Sequence, residues 1–306
     1  MNIMCPIPNA DNDFHHYLRG LGERADPKAG FFGPKSMVWR ISREPVLLLF
    51  GMRALLLQIA HPHVAQAVAD HSNYRSDPLG RGIRTFKAVY AMIFGSRETA
   101  IDAALAVHAV HTRVYGELKD PLPTGVDAHY TATDPQALLW VAATLLNSTV
   151  LAYELCIRKL SSAEKEQFYQ ESKRFGQLFG IQKNLYPDAW QDFEIWMANT
   201  IESDLITVTP AAKDIVQGLL FGTWFTRFLA PINYAVAAMS LPPKLVNEFG
   251  FKRSWWTNAI YKSLLALAKT AMRLLPQHYR SVPAARINER RLQRAQHRSI
   301  DCNLSE

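Results

Sequence analysis

Residues 135–153 run for 19 positions without a charge. A stretch of that kind either crosses a bilayer, which takes about 20 apolar residues, or forms the inside of a helical protein. Gln136, Thr144, Asn147, Ser148 and Thr149 interrupt it, and hydrocarbon penalises polar groups that lack partners. The expectation is therefore a helix buried in protein, not an integral membrane span. Asp134-Pro135 stands ahead of it as an N-cap and a first-turn proline, and the pattern carries on to about residue 159.

The same 3.6-residue periodicity fills most of the chain. It predicts helices over 46–68, with an interruption at His61-Pro62, and over 82–93 and 97–118, where Gly95-Ser96 separates the two and Ser96 is the N-cap. Further helices are expected from 162 to about 180, 187–203, 211–228, 230–239, 254–275 and 283–297. Alternating strand patterns are scarce, with 126–133 the only weak candidate. Loops are expected at 9–34, 73–80, 119–133 and 180–187. The predicted fold class is all-α, with a first arm over 1–29, one helical domain over 30–282 and a basic C-terminal helix or tail over 283–306.

Composition narrows the function. The chain has 306 residues, 48% apolar and 20% charged, enough to bury a substantial core and incompatible with disorder or a disulfide-stapled miniprotein. Cys5, Cys156 and Cys302 form no CxxC pair, which fits a reducing compartment and excludes a zinc ribbon and a CxxCH covalent haem site. No apolar run opens the chain, so no signal peptide is expected and the expected location is cytoplasmic. The formal charge is +7. Residues 269–298 carry eight Lys and Arg against Glu289 alone, so the remainder is neutral and a nucleic-acid binder is not indicated. That segment is either a solvated helix or, with Trp255 and Trp256 upstream, a peripheral contact with an anionic membrane.

Three groups of residues could carry chemistry. His108 and His111, three apart, share a helix face; neutral imidazole is a common metal ligand, although such a pair also occurs as ordinary core or surface histidines. Arg81, Arg84 and Thr85 at i, i+3 and i+4 converge on one volume, where guanidinium groups could hold carboxylates such as haem propionates or simply form a solvated turn. His61, closing the run 55–60, reads as a helix terminus more readily than as a pocket residue. No HExxH motif and no inward ExxH pair of a di-iron bundle is present.

These pieces occur in a recognisable order. Gly33-Pro34, the run Arg53-Ala54-Leu55-Leu56-Leu57-Gln58, Ala60-His61-Pro62, His71-Ser72 and Asp77-Pro78 come first. Arg81, Arg84-Thr85, Phe94-Gly95, His108, His111, Val114 and Gly116 follow, then Tyr130, Asp134-Pro135 and Trp140-Val141. Over about residues 30–197 the series resembles the oxygenase family that includes the latex-clearing (rubber-cleaving) proteins and the MpaB oxygenase, with a weaker echo at Leu275-Pro276 and Arg280.

The resemblance implies a globin-like helical core holding non-covalent haem b, with His111 as iron ligand and His108 as the alternative. Arg81, Arg84 and Thr85 match the family's distal turn, Arg84 standing where rubber oxygenases have a lysine; His108 stands where they have an arginine. The glutamate base of rubber cleavage has no counterpart between His61 and Gln66, which leaves His61 or a substrate group for that role. Expected on this ground are O₂-dependent cleavage of a C=C bond in an isoprenoid or other hydrophobic substrate, or, as the rival, haem or apolar-ligand binding without catalysis.

Overall fold

The computed structural model describes residues 10–119, 127–276 and 279–303, and these are overwhelmingly helical. The first elements are α1 (Ala10–Gly22), α2 (Met37–Ser42), α3 (Gly51–Ile59), α4 (Pro62–His71), α5 (Pro78–Phe94) and α6 (Arg97–His111). A two-stranded antiparallel hairpin, β1 (Tyr115–Glu117) and β2 (His129–Thr131), leads into α7 (Pro135–Cys156). Then come α8 (Ser162–Gln177), α9 (Trp190–Glu202), α10 (Pro210–Phe221), α11 (Trp224–Ser240), α12 (Pro243–Phe249), α13 (Trp255–Leu274) and α14 (Pro283–Asn303).

α7 is the central rod. Asp134 caps it, its carboxylate accepting from the Ala137 N–H at 2.7 Å, and Pro135 fills the first turn. By length and composition it could cross a membrane. In the fold it packs instead against α3, α8 and α13, burying Leu139, Trp140, Ala143, Leu146 and Val150. The Trp140 indole N–H donates to the Leu57 carbonyl of α3 at 3.0 Å.

A single buried cation ties this centre together. Arg53 of α3 is 5% exposed. Its Nε donates to the Ser240 carbonyl at the end of α11 (3.0 Å), and its two Nη groups donate to Ser148 Oγ (2.6 Å) and Asn147 Oδ1 (2.9 Å) of α7. Burial pushes the guanidinium down to about 10, so it keeps its charge at neutral pH. Asn147 and Ser148, polar interruptions of the uncharged run, are thus its acceptors.

Several boundaries differ from the expected ones for local reasons. The stretch 46–68 becomes a 3-10 turn at Pro45–Phe50, then α3 and α4, with a bend of 107° at His61-Pro62. α6 stops at His111 rather than near 118, because residues 115–117 pair with β2. The break between α10 and α11 falls at Gly222-Thr223, where Thr223 caps α11 through the Thr226 N–H, while Pro231 stays inside α11. The stretch 9–34 is not all loop: α1 occupies its first part. Residue 126 of the strand candidate and Cys5 lie outside the described residues.

The turn between α5 and α6 is clamped. Gly30, at φ +75°, brings its backbone so close that a Cβ there would lie 2.3 Å from the Gly95 carbonyl oxygen, an approach only glycine permits. The basic α14 is not free in solvent either. Ala285 is fully buried, Glu289 accepts from the Trp39 indole at 3.2 Å, and α14 packs on α5.

Arg53→Met should leave the acceptors of α7 and α11 unsatisfied and lower unfolding stability by roughly 3 kcal/mol, and Arg53→Lys by less. Urea unfolding of the purified variants measures both.

Candidate functional site

α5 and α6 pack along their lengths about the Gly95-Ser96 turn, with Ser96 Oγ accepting from the Thr99 N–H as the cap of α6. Arg81 lies 14 residues before the turn and His111 15 residues after it. At 1.5 Å per residue both stand about 21–23 Å from the closed end, at the open end of the hairpin. His108 and His111 share the face of α6 that carries the buried Ala100, Ile101 and Ala104.

Both imidazoles line a cavity of about 170 Å³, walled by Ala104 and Val107 of α6, Thr133, Pro135 and Leu138 at the start of α7, Phe179-Gly180, and Phe14 of α1. The two histidines differ there. The His108 ring stacks on Phe14, centroids 4.0 Å apart at 24°. The His111 ring makes no hydrogen bond with the described residues. Burial, reinforced by His108, pushes its pKa down, so it is neutral at neutral pH with its lone pair available. Phe14 is the residue that sequence reasoning missed. Its signal was present: Phe14, Tyr17, Leu18 and Leu21 fall at helical spacing within the supposed arm.

The distal trio does not act as one unit. Arg84 is exposed and pairs with Asp77 at 2.9 Å. Asp77 also caps α5 through the Gly80 N–H at 2.8 Å, and these contacts, Arg84 foremost, hold its carboxyl below the usual range. Thr85 is exposed, its hydroxyl donating to the Arg81 carbonyl at 3.1 Å. Arg81 is different: one Nη is buried with no partner, and burial lowers its pKa. The opposite face of the first turns of α5 presents Leu79, Ile83 and Phe86 to the surface.

His61 sits apart at the N-terminus of α4, 3% exposed, with Nδ1 buried and unpartnered. Its ring lies 5.3 Å from that of His63. Burial foremost, and then His63, push its pKa down to about 4 against the opposing pull of Asp134.

No carboxylate stands between His61 and Gln66. The next carboxylate on α4 is Asp70, which accepts from Gln66 (3.0 Å), Tyr130 Oη (2.8 Å) and Lys119. Burial works to raise its pKa, but those three donors outweigh it and hold the group ionised. Asp70 is thereby a strut that ties α4 to the β1–β2 hairpin. The open cleft beside it, about 590 Å³ between α4 and α10, is charged rather than apolar, with Arg75 paired to Asp214. Among the described residues no cluster of three or more His, Cys, Asp or Glu is arranged to hold a metal ion.

Residues 39–273 match the catalytic domain of the ER-bound oxygenase mpaB/B′ and rubber oxygenase family. The chain belongs to that family. Its hairpin α5–α6, α4 and α7 all fall inside the matched span, whereas α1, which brings Phe14 to His108, precedes it. Two relatives are an uncharacterized protein of Mycobacterium bovis and one of Mycobacterium tuberculosis. Each is 23% identical over 237 residues, covering 75% of this chain and 90% of the relative. No solved structure matches.

His61 carries a pH dependence. A histidine in the unfolded chain titrates near 6.5 and the folded one near 4, so between those values the unfolded chain binds the extra proton. The contribution is intact above about 6.5 and lost as pH falls toward 4, by up to roughly 3 kcal/mol. Denaturant midpoints across that range should fall less steeply in His61→Gln.

Proposed function

We propose that the chain is a haem-b-dependent oxygenase that cleaves a carbon–carbon double bond in an isoprenoid or other hydrophobic substrate with O₂. Membership of an oxygenase family supports the reaction class. The single observation that carries the cofactor is His111, a half-buried neutral imidazole without a hydrogen-bond partner among the described residues, at the same end of the α5–α6 hairpin as a buried, unpartnered Arg81 Nη.

The residues present fit haem b. An axial site needs one neutral imidazole, and His111 provides it, while the Phe14 stack covers a face of His108. A propionate needs a cationic donor, and Arg81 holds one N–H in reserve. A macrocycle needs apolar surroundings, and Ala104, Val107, Leu138 and Phe179 about the histidines would supply them. The 170 Å³ beside the histidines is below the ~300–1,000 Å³ of ordinary ligand sites. The donors therefore match the group, while the cavity beside them is smaller than a macrocycle.

When bound, haem b supplies the redox-active iron that takes up O₂. The chain's own contributions are separable. His111 holds the group through its neutral nitrogen. Arg81 orients it by a charge-assisted hydrogen bond. The apolar walls Val107, Leu138 and Phe179 would exclude water and seat a greasy substrate. Arg84 and Thr85 stand next to Arg81 on the same helix, and they reach the site once Arg84 leaves Asp77. His61, kept neutral at pH 7, is the group with a free basic nitrogen in the absence of the glutamate.

A second reading, haem or apolar-ligand binding without turnover, is favoured by the engagement of Arg84 with Asp77 and by the ionised, triply bonded carboxylate of Asp70. O₂ uptake and carbonyl products from a panel of polyisoprenoids and terpenoids distinguish the two.

The cofactor is tested by spectrum. Purified protein given hemin should develop a Soret band that shifts on reduction and on addition of carbon monoxide. His111→Ala should lose it, His108→Ala should retain it, and Arg81→Ala should weaken hemin affinity about tenfold. Absence of the band in the unaltered chain, or its retention in His111→Ala, overturns the assignment.

A further inference from the structure

The largest exposed apolar side chains are not scattered. α10 and α11 meet at a corner of 113°, and on it stand Phe221, Trp224 and Phe228, the last two 81% and 75% exposed. Trp224, Phe228 and Ile232 are spaced i, i+4 and i+8, one stripe along α11. Trp224 is more exposed than a cavity wall would be.

α13 continues the surface. Trp256 stacks on Tyr234 of α11, and Thr257 Oγ1 contacts Met239 Sδ at 3.9 Å. α13 thus starts beside the end of α11 and, packed along it, runs back toward Trp224. Leu267 and Leu274 follow Trp256 by 11 and 18 residues, about three and five turns. They lie on the same α11-facing edge as Trp256, and both are exposed. The opposite, outer edge carries Lys262, Lys269 and Arg273, all exposed and free of salt bridges with the described residues. Over residues 221–282 the sequence holds eight Lys and Arg against Glu248 alone.

We infer that the α10–α11 corner and the facing edge of α13 form a docking surface for an anionic lipid bilayer. The aromatic and leucine side chains enter the headgroup boundary while the basic edge of α13 meets the lipid phosphates. Two features select this occupant. Aromatic and aliphatic groups bordered by lysine and arginine are what an interfacial helix presents. A second copy on the same patch would set Lys262, Lys269 and Arg273 against their own counterparts, whereas an anionic leaflet attracts them. The basic α14 is the weaker candidate, since it packs on α5 and its Arg291 donates to the Lys28 carbonyl at 2.7 Å.

The test is co-sedimentation of the full chain with phosphatidylcholine vesicles, with and without phosphatidylserine, read together with tryptophan emission. Binding to the phosphatidylserine vesicles with a blue shift is expected. The W224S/F228S pair should weaken it at least tenfold and abolish much of the shift. The K262E/K269E/R273E triple should weaken it about fivefold per cation, at low salt above all. These positions are exposed, so circular dichroism of each variant should match the parent. Binding unchanged in both variants overturns the proposal. So does a dimer that W224S/F228S dissolves without any vesicle binding by the parent, which would assign the patch to a second copy.

Discussion

A positive charge held in the middle of the protein organises everything around it. Among the described residues Arg53 forms no ion pair with a carboxylate; each of its three nitrogens donates once, to a helix-end carbonyl, a serine and an asparagine. Leaving such a cation without acceptors is costly, so α3, the middle of α7 and the end of α11 have to arrive together. Asn147 and Ser148, two of the polar side chains that interrupt the apolar α7, are the ones this buried cation needs. Once α7 is fixed, its N-terminus fixes Thr133, Pro135 and Leu138, the wall that faces the two histidines.

From there the geometry of the site follows from an equal-armed hairpin. α5 and α6 extend almost equally far from Gly95-Ser96, which brings residues 30 apart in sequence, Arg81 and His111, to one end. Neither residue is bonded to the other, and each reaches its state by burial: an imidazole driven neutral and a guanidinium with an unmet donor. Such an unmet donor is expensive in a purely structural role, and at this end of the hairpin it shares the neighbourhood of a neutral imidazole.

Much of this was legible in the sequence. Ser96 and Asp134-Pro135 announce their helices because capping is a local interaction, and both caps form as expected. The all-α class was readable for the same reason. What was not legible depends on partners far along the chain. The end of α6 at His111 is set by strand pairing with residues 129–131. The outward pose of Arg84 is set by Asp77, seven residues away around a helix cap, which spacing rules for helix faces do not reach. The role of Arg53 could not be assigned because its acceptors sit 94 and more residues later. α1 is the one element whose periodicity was present and was read as loop, and with it went Phe14.

The contact of Gly30 with Gly95 has a mechanical consequence. It pins the hairpin where the helices join, and the Arg97 N–H reaching the Pro27 carbonyl reinforces the rivet. A lever fixed at one tip flexes at the other. The freedom left to the pair is at the far tip, where the His108 ring rests on Phe14 and a small cavity separates α6 from the start of α7.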